Sequence, residues 1–156
     1  CTLNGAPVLA ATARMLGVDL DEFARLAVSA PAGAHGLRLV PYFAGERSPN
    51  LPDATGSLTG ITTENFTAPS VARAAVEGLL GSLVWCREQI EAQGVDVERV
   101  LLIGGGAKSP AIRAIAPSVF EGTVILPAES EWVALGAARQ AAWALTGHLP
   151  GWPVAT

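Results

Sequence analysis

The sequence is poor in lysine, in sulfur and in charge. Its 156 residues hold ten basic side chains, and Lys108 is the only lysine among them. The formal net charge is -4. Binding a phosphate backbone needs clustered Lys and Arg, and here the basic residues are scattered, so nucleic acid is excluded as a partner. The two cysteines, Cys1 and Cys86, and the two histidines, His35 and His148, lie far apart. No CxxC or HxxxH spacing exists, so neither a zinc site nor any other metal site is expected. Such a low cysteine count fits a reducing, cytoplasmic compartment. No run approaches the roughly 18 uncharged apolar residues of a membrane span, so no membrane is involved. No charged n-region with an apolar h-region opens the chain. Without such a signal, the Asn65-Phe66-Thr67 glycosylation pattern reads as coincidence.

What is present is ample core material: half of the residues are hydrophobic and 15% are charged. The length suits one domain. The organising stretch is RVLLIGGGAKSP, Arg99 to Pro110. Val100, Leu101, Leu102 and Ile103 read as a strand covered on both faces. Gly104, Gly105 and Gly106 let the backbone turn sharply. Ser109 and Pro110 read as N-cap and first residue of a helix. A strand, a glycine turn and a helix N-terminus favour an anion, because N–H groups and the helix dipole point outward.

Around that stretch the chain alternates. Pro7–Leu16 reads as a helix ended by Gly17, and Asp19 caps a second helix with Phe23, Leu26 and Ala27 as its stripe. Leu37–Phe43 reads as a strand that Pro41 confines to an edge. Ala44–Thr63 is a long non-periodic stretch with a short strand in Leu58–Thr62. A loop of that length is functional or conceals further structure. Thr67 caps a long helix to Gln93, with Val76, Leu79, Leu80, Leu83, Cys86 and Ile90 on one face. A helix from Pro110 is kinked or ended near Ala116 by Pro117. Thr123–Leu126 reads as a second buried strand. Ser130 then caps a small-residue helix, Glu131–Leu145, suited to close approach. Helix, strand, helix, strand, helix implies an α/β layered domain.

The glycine turn misses the common phosphate motifs. GxxxxGK[ST] needs glycine at positions 102 and 107, which are Leu102 and Ala107, and GxGxxG needs glycine at Ser109. Spacing leaves a nucleotide or phosphate site and a structural turn both open. Glu46, Arg47 and Ser48, bunched in the long loop, are either ligand contacts or a surface or interface salt bridge. Asp19, Asp21 and Asp96 sit where carboxylates cap helices. Asp53 has no evident partner, and no GxSxG elbow is present. Trp85, Trp132 and Trp143 read as packing residues.

Four ordered segments together resemble the C-terminal domain of the FGGY carbohydrate kinases, and most closely their xylulokinase branch. They are GERSP (Gly45–Pro49), GSLTGI (Gly56–Ile61), IGGGAKSP (Ile103–Pro110) and ALGAA (Ala134–Ala138). The family signature continues through Val71, Ala74, Ala75, Val76 and Glu77, with Ser70 standing where the family usually has an acidic, amide or histidine residue. The resemblance covers residues 1–147, leaving 148–156 as an irregular tail. It implies the actin-like, ribonuclease H-like ATPase fold and transfer of the γ-phosphoryl group of ATP, with Mg2+, to a pentulose such as D-xylulose. By the same resemblance Gly105, Gly106, Ala107, Lys108 and Ser109 hold the adenosine and α-phosphate side. Ser48 lies near the nucleotide, braced by Glu46 and Arg47. The family's catalytic aspartate and its glycine–threonine loop for the terminal phosphates precede the segment matched by Thr2–Ala6. No catalytic residue is therefore expected in this chain. Beginning at Cys1, it is expected to be part of a longer protein, with a sugar-binding N-terminal domain as partner. It is also expected to be inactive alone and prone to self-association through uncovered apolar surface. Two alternatives stay open: a non-catalytic α/β module that binds a nucleotide or a partner, and a kinase for another sugar or polyol.

Overall fold

The computed structural model describes residues 2–128 and 130–152. Cys1 lies outside them, as does the end of the tail. Helix α1 spans Ala6–Leu16 and closes on Gly17 in the left-handed conformation. Helix α2, Leu20–Ser29, begins where the Asp19 carboxylate accepts the Glu22 amide at 2.8 Å. Strand β1 is Arg38–Val40 and pairs antiparallel with β2, Ser57–Thr59. Helix α3 runs from Ala68 to Glu91, with Thr67 as its N-cap. Strand β3 is Val100–Leu101, helix α4 is Pro110–Phe120, strand β4 is Val124–Ile125 and helix α5 is Trp132–Thr146.

The N-terminal half of α3 is the centre of the core. Val71, Ala72, Ala74, Ala75, Val76, Leu79 and Leu80 are all buried, against α1, α2, α4 and β1. The small side chains on this helix let its neighbours come close. At Gly78 the approach is closest, where an added Cβ would collide with the Leu39 carbonyl of β1. Arg73 ties the helix to the end of α2. Its Nη1 donates to the Ala30 carbonyl at 3.3 Å and its Nε to Glu77 at 2.6 Å, while Glu77 also accepts the Gly33 amide at 3.0 Å. Asn65 is 6% exposed and donates to the His35 and Gly60 carbonyls, so its side chain is occupied inside the fold.

Several expectations need correction. The C-terminal half of α3 is not core: Leu83 and Ile90 are exposed and Cys86 is half-buried. The strand expected over Leu37–Phe43 keeps only three residues, because Pro41 follows at once and has no amide to donate. Pro117 does not end α4, and the helix runs on to Phe120. Burial of Ile115, Ala116 and Phe120 holds that last turn in place of the lost hydrogen bond. Ser130 does not cap α5, whose N-cap position is Glu131 with no side-chain hydrogen bond. None of the α5 residues is buried, so its small residues meet no close neighbour among the described residues. No helix among them is long and apolar enough to cross a membrane.

From α3 onward the alternation of helix and strand holds, and β3 and β4 lie side by side and parallel. The Val100 amide donates to the Thr123 carbonyl and the Leu102 amide to that of Ile125, both at 2.9 Å. Neither strand is covered on both faces. Leu101 is exposed, while Val100, Val124 and Ile125 are half-buried. Four branched residues in a row are compatible with two-sided burial, but what packs on a strand, and not the run itself, decides it.

Candidate functional site

Adjacent parallel strands send the loops that follow them to the same sheet edge. In open α/β sheets, crevices outside the carboxyl ends of strands are where ligands bind. Here the loop after β3 carries the three glycines, and the loop after β4 leads through Pro127 to α5. Between them lies a cleft of about 490 Å³. Leu102, Gly104, Gly105, Ala107 and Lys108 line it from the first loop, with Arg113 from α4. Leu126, Pro127, Ser130, Glu131 and Trp132 line it from the second.

The glycine turn is built from its own backbone. Gly104 has φ 82, a conformation that a side chain would strain. Gly105–Lys108 then form a single 3-10 turn, in which the Ala107 amide donates to the Gly104 carbonyl at 3.2 Å. The Ser109 amide donates to Gly106 at 3.1 Å. These two amides therefore serve the turn and do not point outward. Ser109 makes no side-chain cap hydrogen bond, although Pro110 does open the helix. In the first turn of α4, Ala111 is completely buried and Ile112 is 5% exposed, so these two face the core, while Arg113 reaches the cleft.

Positive charge reaches the cleft from Lys108 and from Arg113. The Arg113 Nε donates to the Ala107 carbonyl at 2.7 Å, pinning the turn to the helix that follows it. Glu131 is the one carboxylate lining the cleft, and Trp132 the one aromatic residue, among the described residues. Sequence reasoning placed neither Arg113 nor Trp132 at this cleft. Arg113 lies six residues beyond the carbonyl it holds, outside any motif, and the sequence around Trp132 reads as packing. The signal that finds them is the parallel pairing of β3 with β4, which brings two distant loops together.

Of the expected nucleotide contacts, Gly105, Ala107 and Lys108 line the cleft. Gly106 and Ser109 belong to the same turn without lining it, and Ser48 is not among the lining residues. Ser48 sits instead in a loop organised by Glu46. That side chain is 1% exposed. Its carboxylate accepts the amides of Leu3 and Arg47 at 2.7 Å, that of Ser48 at 3.3 Å and the Asn4 side-chain amide at 3.0 Å. Burial by itself would raise the Glu46 pKa. The hydrogen bonds from Asn4, Leu3, Arg47 and Ser48 outweigh it and hold the pKa at about 2. Glu46 thus braces the loop through backbone amides and not as one half of a surface salt bridge.

A family model described as the C-terminal domain of the FGGY family of carbohydrate kinases matches residues 6–145. Xylulose kinase from Haemophilus influenzae is 35% identical over 144 residues, 92% of this chain and 29% of that protein. Gluconokinase from Bacillus licheniformis is 36% identical over 129 residues, 81% of this chain and 25% of that protein. The crystal structure of xylulose kinase from Bifidobacterium adolescentis superposes with a TM-score of 0.88 at 52% identity, covering 99% of this chain and 31% of that one. The chain therefore spans between a quarter and a third of the length of these three relatives. Their fold agrees with the α/β architecture and with the actin-like ATPase class.

Proposed function

Since this chain belongs to the FGGY family of carbohydrate kinases, as their C-terminal domain, we propose that it forms the nucleotide side of a kinase that phosphorylates D-xylulose with ATP. The observation that carries this reading is the cleft at the carboxyl ends of β3 and β4, walled by a glycine turn and supplied with positive charge by Lys108 and Arg113. Close backbone approach and cationic side chains are what a phosphate chain needs. Phosphoryl transfer rests on positioning and electrostatic stabilisation by several parts at once. The parts that bind sugar and activate its hydroxyl belong, on this reading, to the sugar-binding N-terminal domain of the same protein. Mg2+ enters with the nucleotide. Among the described residues no group of three or more His, Cys, Asp or Glu is placed to hold a metal ion, and Glu131 is the cleft's single carboxylate.

The experiment is a coupled assay of the full-length protein with ATP, Mg2+ and either D-xylulose or gluconate. Formation of ADP and D-xylulose 5-phosphate is expected with xylulose, and no turnover is expected from residues 1–156 alone. A second reading, a kinase for another sugar or sugar acid, draws support from the gluconokinase, which is 36% identical over a shorter stretch of 129 residues. Preference for gluconate would select it, and xylulose phosphorylation by the isolated chain would overturn the division of labour.

A further inference from the structure

The cleft offers a nucleobase little by way of edge recognition. Among the described residues no Asn or Gln lines it, and the polar side chains lining it from the loop after β4 are those of Ser130 and Glu131. It does offer apolar surface, from Leu102, Leu126 and Pro127, and one flat aromatic side chain, Trp132. Trp132 is half-buried at the start of α5 and lines the cleft. Lys108 and Arg113 give the same cleft its cationic part. An aromatic face joined to a cationic region suits a ligand that has a planar base and a phosphate chain.

We propose that Trp132 is the platform on which the nucleobase stacks, and that the site is consequently tolerant of base identity. This rests on the reading that the cleft takes a nucleotide. Every base has a π-face, so stacking contributes affinity without telling adenine from guanine. Discrimination would need hydrogen bonds to the base edge, left unpaired by the wrong base.

The test is calorimetric titration of the full-length protein and its Trp132→Phe and Trp132→Ala variants with ADP, GDP and tripolyphosphate. The native protein is expected to bind ADP and GDP within about threefold of each other. Trp132→Ala should weaken both by about tenfold or more, the scale of removing one stacking partner, and leave tripolyphosphate unchanged. Trp132→Phe should keep most of the affinity but lose the ADP-induced quenching of tryptophan emission. Native-like ADP binding by Trp132→Ala overturns the proposal and spares the nucleotide reading. So does a preference of more than about a hundredfold for one base. Equal losses for ADP and tripolyphosphate also overturn it, since Trp132 would then only hold the cleft together. A native protein that binds none of the three overturns both.

Discussion

The carboxylate of Glu46 accepts the side-chain amide of Asn4 at 3.0 Å, joining residues 42 positions apart inside the fold. Asn4 also donates to the Gly45 carbonyl at 2.7 Å, so one short segment before α1 clasps both residues at the head of the loop. The clasp is charged on one side only, with N–H groups on the other.

From that arrangement a pH dependence follows. The folded pKa of Glu46 is about 2, below the ordinary 4.5 of a free glutamate side chain. A group whose folded pKa is lowered contributes stability above its unfolded pKa and loses it as pH falls through the folded value. The contribution is therefore expected in full above about pH 5, and to fade between about 4.5 and 2. At about 1.4 kcal/mol per pKa unit it is on the order of 3 kcal/mol. Glu46→Gln places an amide among donors and should cost on the order of 2–3 kcal/mol at neutral pH. Urea unfolding across pH 2–7 checks this. If the native and Glu46→Gln proteins keep parallel stability curves across that range, the carboxylate is not the source.

A pair of glycines in α3 should respond to alanine with opposite signs. Alanine normally stabilises a helix interior by about 0.5–1 kcal/mol relative to glycine. Gly81→Ala meets nothing within 4 Å and should follow that rule. Gly78→Ala would drive a Cβ into the Leu39 carbonyl of β1, so it should destabilise by about 1–3 kcal/mol through forced backbone separation. Thermal melts of both variants decide the matter, and two stabilising changes would mean that β1 does not press on the helix.

Local signals were legible in the sequence, whereas features made by distant partners were not. Gly17, Asp19, Thr67 and Gly147 mark helix ends as their residue types foretell, because a cap is made with the next few amides or carbonyls. Ser109 and Ser130 have the same chemistry but supply no side-chain cap, since a 3-10 turn precedes the first and Glu131 takes the cap position after the second. The burial of Glu46 depends on Leu3 and Asn4, more than forty residues away. No pattern within GERSP contains that. The glycine turn was legible as a turn, yet Arg113 and Trp132 enter its cleft only because β3 pairs with β4.

The contact of Arg113 with Ala107 carries a prediction for ligand binding. Replacing Arg113 by Ala removes both a charge at the cleft and the donor that pins the Ala107 carbonyl. ADP affinity in the full-length protein is expected to fall about ten- to a hundredfold, the scale of losing one hydrogen bond to a charged group. Arg113→Lys keeps the charge without the planar Nε donor and should recover only part of it. Calorimetry at two salt concentrations separates the contributions. The charge effect shrinks with salt, while the loss of turn geometry does not. Full recovery by lysine would show that the turn needs no pin.

Helix α5 sets the behaviour of the chain in isolation. Val133 is 82% exposed and Leu145 87%, and Trp143 and Leu135 are more than 40% exposed. Leu101, Ile103 and Leu126, at the β3–β4 edge, are exposed as well. Single exposed apolar residues are ordinary on a protein surface, but a whole helix with none of its residues buried is not. Residues 1–156 alone are therefore expected to self-associate with rising concentration. Light scattering should show species larger than the 16.0 kDa monomer. Val133→Lys with Leu145→Glu should shift the population towards monomer without lowering the melting temperature, because neither side chain packs in the core. A native chain that stays monomeric at high concentration would mean that this face needs no cover. Variants that still associate would move the sticky surface to the β3–β4 edge.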